Sequence, residues 1–114
     1  MSDVRVILST AGSPEEAERI AHALVEQGLA ACVNIVPKLT SIYRWEGRIE
    51  TANEVLLLIK TSASRVERVE AVLRAIHSYE IPEVLVFNPE SGLEEYVDWL
   101  LQSVRERESS LGAG

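Results

Sequence analysis

An α+β fold is predicted by three observations on this chain. Runs of β-branched and aliphatic residues recur at Val4–Ser9, Ala31–Val36 and Val55–Ile59. Helix-start signals stand at Ser13-Pro14-Glu15-Glu16 and Ser91-Gly92-Leu93-Glu94, each followed by apolar residues at helical spacing. The resulting order is β-α-β-β-α-β with one more helix at the C-terminal end, the pattern of an antiparallel sheet with helices packed on one face.

Val4-Arg5-Val6-Ile7-Leu8-Ser9 reads as the first strand. Ser13 can cap the next helix, Pro14 suits its first position, and Glu16 completes a capping box. Ala17, Ile20, Ala21, Leu24 and Val25 define its buried face, and Gly28 is its natural stop. The second strand, Ala31–Val36, is closed by Pro37, and Ser41–Trp45 follows as a further strand or hairpin arm. Glu46-Gly47 makes a turn into a longer strand that reaches about Thr61. A second helix is expected from Arg65 to Ser78, with Ser64 and Glu67 as its capping box and Val66, Val69, Val72, Leu73 and Ile76 facing inward. Val84–Phe87 is a short last strand. Leu93, Tyr96, Val97, Leu100, Leu101 and Val104 make the final helix amphipathic. The order is ferredoxin-like. Residues 1–107 are read as a single domain and 108–114 as a frayed tail.

Val55-Leu56-Leu57-Leu58-Ile59 is apolar without alternation, so both faces of this strand require cover. The last helix supplies part of it. A homo-oligomer with an apolar interface is expected to supply the rest.

At 114 residues the chain can bury a core without disulfides or a structural metal, and Cys32 is its only cysteine. No apolar run approaches the roughly 18 residues that span a bilayer, and the N-terminus carries no leader signature. The expectation is a cytoplasmic protein with no membrane partner. A net charge of −7 argues against nucleic-acid binding. Enzymatic activity is not expected: there is no Gly-x-Ser-x-Gly, phosphate loop, His-Glu-x-x-His or Ser/His/Asp set. The loop after the first strand, Thr10–Pro14, lacks the arginine on which acylphosphatases of the same element order rely. The open sheet face of an RNA-recognition domain would need aromatics and a basic surface, which this chain does not offer.

The stretch His77-Ser78-Tyr79-Glu80-Ile81-Pro82-Glu83 concentrates an imidazole, a phenol and carboxylates where a helix must give way to a strand, because Pro82 cannot continue a helix. Taken with Ala31–Pro37, Thr40–Gly47, Glu54-Val55, Leu58–Thr61 and Tyr96–Leu100, it resembles the CutA family of divalent-cation tolerance proteins over about Val6 to Leu101. The resemblance implies a ferredoxin-like homotrimer, similar in architecture to the trimeric nitrogen-regulatory signalling proteins. It also implies a link to tolerance of divalent metals, with copper the leading candidate ligand and other divalent ions alongside it. His77 is the first metal-ligand candidate, since an imidazole at a helix end binds copper, zinc or nickel. Its other reading is a helix C-cap. Copper-binding members often carry two successive histidines here and a first-strand cysteine; this chain has Ile76 and Ser9 at those places. Cys32 is the second candidate ligand, set against the reading of a small buried hydrophobe.

Tyr43, Trp45, Glu46, Lys60, Tyr79, Glu80, Glu83 and Trp99 correspond to family positions near a cleft between subunits. They are candidates for a small-ligand site or for a trimer interface. Lys60 would need a carboxylate partner if buried, with Glu46, Glu80 or Glu83 to serve. His22 and the glutamates Glu15, Glu16, Glu67, Glu70, Glu94 and Glu95 read as surface. Two functions follow as expectations: copper or other divalent-ion binding in metal homeostasis, or a non-enzymatic trimeric scaffold whose cleft takes a small molecule or partner.

Overall fold

The first strand, β1 (Val4–Ala11), runs two residues beyond the expected end and lies inside a four-stranded antiparallel sheet. The computed structural model describes the backbone of residues 3–113 and the side chains of residues 3–104. Ser13 takes an extended φ of −154° and its Oγ accepts from the Glu16 N–H at 3.1 Å, so α1 (Pro14–Glu26) starts as the sequence indicates. Gly28, at φ 70°, lets the chain turn back into the sheet.

β2 (Cys32–Trp45) is one continuous strand, which corrects the expectation that Pro37 ends it. The register against β3 (Arg48–Ser62) shifts between Val36 and Leu39, and Lys38 adopts φ 64°. This is a bulge that absorbs the proline. Pro37 is tolerated because β2 is an edge in the order β2-β3-β1-β4, where a missing N–H need not cost a ladder bond. The two-residue turn Glu46-Gly47 has positive φ at both positions, 51° and 82°, matching the twist of the strands it joins.

β3 pairs with β1 only from Val55 to Ser62, so the half of the hairpin between Leu39 and Glu54 extends past the rest of the sheet as a two-stranded ribbon. Fifteen residues of strand span about 50 Å, and the molecule's longest dimension is 49 Å. A 3₁₀ turn at Ala63–Arg65 leads into α2 (Val66–Ile76). The expected Ser64 cap does not form; its hydroxyl bonds Ser62 Oγ instead. β4 (Leu85–Phe87) pairs with β1 and is exposed at the other edge. α3 spans Glu94–Ala113; the expected frayed tail falls outside the residues whose side chains are described.

The core lies between the sheet and helices α1 and α2, with Ile7, Ile20, Leu24, Leu57, Ile59 and Leu73 fully buried. Each such side chain contributes about 2 kcal/mol through burial. Leu56 and Leu58, on the opposite face of β3, are half-buried beneath α3, whose Leu100 and Val104 are buried. The uninterrupted apolar run of β3 is thus explained in part by α3. Among the described residues no helix is long and apolar enough to cross a membrane.

Candidate functional site

α2 ends at Ile76, and His77 turns extended at φ −74°, ψ 142°, while its N–H still bonds Leu73 O. The following loop is held by Glu16. Its carboxylate accepts from Ser78 N at 2.7 Å, Ser78 Oγ at 3.0 Å and Gly12 N at 3.2 Å. Glu16 was expected on a solvated helix face. It is buried, because the first turn of α1 meets the end of α2 there. Burial alone would raise its pKa, but the donors from Ser78 and Gly12 prevail and hold it below the usual carboxylate value.

His77 has a fully buried side chain. Its Nε2 lies 2.6 Å from Thr10 O, a contact that requires the proton on that nitrogen. Its Nδ1 accepts from Tyr79 N at 3.0 Å and is therefore unprotonated in this arrangement. Glu16 Oε2, 3.6 Å from Nδ1, would meet a proton only if that amide bond were given up. Both ring nitrogens are engaged, so His77 fastens the loop to β1. Cys32 is half-buried and faces Lys60, which in turn faces Val6. Val6 is four residues along β1 from Thr10, a separation of about 13 Å. The fold therefore does not bring Cys32 and His77 to one centre. Among the described residues no three His, Cys, Asp or Glu side chains gather in a metal-holding group. Ser9 is buried, and its hydroxyl has no hydrogen-bond partner among the described residues.

Beyond His77 the chain wraps the end of β1 and Tyr79 reaches the far face of the sheet. Its phenol donates to Glu54 Oε2 at 2.7 Å, and burial first, then Glu54, pushes the phenol pKa up. Gly12 leaves room for this passage: a Cβ there would lie 3.3 Å from the phenol oxygen, a tight contact. Tyr43 and Trp45 alternate on β2, so their side chains share one sheet face with Ser41 and with Glu54 of β3. These residues, with Thr10, form one side of a cleft of about 460 Å³. Tyr79, Glu80, Ile81, Pro82 and Glu83 form the other.

Tyr43, Trp45, Tyr79, Glu80 and Glu83 thus line one cleft within the chain, whereas the remaining candidates lie elsewhere. Glu46 is exposed in the hairpin turn. Lys60 finds a phenol rather than a carboxylate: its Nζ is 3.3 Å from Tyr96 Oη and 5.6 Å from that ring's centroid. Trp99 packs on the same Tyr96 with ring centroids 5.5 Å apart. Thr10, Ser41 and Glu54 line the cleft without having been singled out from sequence. The signal for Glu54 was the alternation Glu50, Ala52, Glu54, which puts it on the Tyr43 face. Glu16 carried no such signal beyond its capping position.

The family profile described as CutA1 divalent ion tolerance protein matches residues 5–103. The chain belongs to the CutA1 family. This CutA1 chain is 47 % identical over 98 residues to the divalent-cation tolerance protein CutA of Thermus thermophilus, covering 86 % of this chain and 95 % of that one. It is 44 % identical to mouse protein CutA over 90 % of its own length, but spans only 58 % of that longer relative. Among solved structures, the divalent cation tolerance protein of T. thermophilus superimposes with a TM-score of 0.86 at 46 % identity, covering 88 % of this chain and 97 % of that one. CutA from Xylella fastidiosa gives 0.88 at 43 % identity, covering 90 % and 99 %.

Proposed function

We propose that this CutA1-family chain serves divalent-cation tolerance as a cytoplasmic, non-enzymatic homotrimer whose working site is the cleft between β2, β3 and the loop after α2. The observation that carries this reading is the convergence of Tyr43, Trp45 and Tyr79 with Glu54, Glu80 and Glu83 around one cavity. Such a mixture of aromatic walls and a few polar groups is the usual make-up of a small-ligand site. The strand order β2-β3-β1-β4, with α1 and α2 packed on one face, supports a ferredoxin-like description. The trimer is supported by apolar surface that the single chain leaves bare. Ile42 and Ile49 on the projecting ribbon are 70 % and 62 % exposed, and β4 is exposed throughout.

A divalent ion, as the family description suggests, with copper the candidate the sequence resemblance implies, would meet the cleft carboxylates without breaking the His77 contacts. Binding at His77 would instead cost the loop its bonds to Thr10 and Tyr79. Native mass spectrometry of metal-stripped protein titrated with copper, zinc and nickel tests this reading. A trimer is expected whose metal uptake survives Cys32→Ser and falls in a Glu54→Gln, Glu83→Gln double variant. Loss of uptake on Cys32→Ser, with the double variant unaffected, would return the site to the Cys32 and His77 ligands.

A further inference from the structure

We propose that the cleft takes an organic cation, an ammonium or guanidinium compound, with its charged head between the wall of Tyr43, Trp45 and Glu54 and the carboxylates of Glu80 and Glu83 on the opposite side. This inference rests on the cleft being the working site and names the class of its ligand. Three observations point the same way. Glu54, Glu80 and Glu83 line the cavity and, among the described residues, no lysine or arginine does, so this lining favours positive charge. Arg48, opposite Trp45 in the β2-β3 register, is not part of the lining.

The second observation is the aromatic wall. Tyr43 and Trp45 lie two residues apart on one strand face, about 7 Å along it, and both keep nearly half their surface open, at 44 % and 45 %. Ring faces offered next to carboxylates favour cations that are weakly hydrated and can be desolvated cheaply, which describes alkylammonium and guanidinium groups.

The third observation is size. A cavity of about 460 Å³ suits a molecule of several heavy atoms, far larger than a bare metal ion. Glu54 is fixed by its bond from the Tyr79 phenol, and a carboxylate so held retains capacity for a second donor. Ile81 and Pro82 supply an apolar surface for the rest of the ligand.

Choline, agmatine and tetraethylammonium are the probes, with 3,3-dimethylbutanol as the neutral isostere of choline and 3,3-dimethylbutyrate as the anionic one. Each is titrated into the full-length protein and followed by amide chemical shifts and calorimetry. At least one cation is expected to shift Tyr43, Trp45, Glu54 and Tyr79 and to bind about tenfold more tightly than its neutral counterpart. Trp45→Ala and Glu54→Gln should each weaken that binding by about fivefold or more. Arg44→Ala, on the opposite face of β2, should leave it unchanged. If the neutral or anionic isostere binds the cleft as well as the cations do, the cation proposal is overturned while the cleft stands. If no probe of any charge shifts the cleft residues in protein of native size, the organic-cation proposal falls, and the metal titration of the Glu54→Gln, Glu83→Gln double variant decides the cleft reading by itself.

Discussion

Glu16 is the residue on which the site depends most. Its buried carboxylate accepts from two backbone N–H groups and a hydroxyl, which tie the loop after α2 to the start of α1. Glu16→Ala is therefore expected to cost on the order of 3 kcal/mol at neutral pH, measured by urea unfolding. The pH dependence has a definite sign. The folded-state pKa lies below the ordinary value of 4.5, so the contribution is fully present above that pH and is lost as pH falls through the lower folded value. The stability gap between the wild type and Glu16→Gln should shrink in that acid range. Ser9 is the converse case. A buried hydroxyl with no partner contributes nothing, so Ser9→Ala should be neutral or stabilising by up to about 1 kcal/mol in the same assay. Neither role was legible in sequence. A glutamate at the third position of a helix reads as a cap, and only the packing of α1 against the end of α2 turns it into a clamp. His77 stood out as a helix-end imidazole, but its hydrogen bond to Thr10 depends on a strand 67 positions away in the chain.

At the scale of elements, the first two strands, the α1 cap and the Glu46-Gly47 turn could be read because their signals are local. Pro37 could not, since whether a proline ends a strand depends on whether that strand is an edge. The Ser64 cap failed for a related reason: the chain enters α2 through a 3₁₀ turn, and Ser64 bonds Ser62 instead. The hairpin turn invites a test. Glu46 holds φ 51°, a conformation that costs a glutamate about 1 kcal/mol. Glu46→Asn should raise the unfolding midpoint without affecting cleft ligands, because Glu46 is not part of the cleft lining. Gly12 tests the opposite end of the site. A methyl group there would crowd the Tyr79 phenol against its bond to Glu54. Gly12→Ala is expected to cost about 1 kcal/mol and to alter the Tyr79 environment in ultraviolet difference spectra.

For the whole molecule, the β3 run Val55–Ile59 announced that both sheet faces needed cover, and α3 supplies only part of it. The bare ribbon and the exposed β4 edge are where a second and third copy would pack. Sedimentation equilibrium is expected to give three chains of 12.6 kDa each, and Ile42→Lys or Ile49→Lys should shift the population toward monomer. A wild-type monomer at micromolar concentration would remove the trimer from the proposed function.

The direct test of a cleft-based role is growth under copper stress of a host lacking its own CutA protein, complemented with variants that accumulate to equal levels. Cys32→Ser is expected to protect as the wild type does, whereas Trp45→Ala and Glu54→Gln should protect little or not at all. Full protection by both cleft variants, with protection lost on Cys32→Ser, would contradict it.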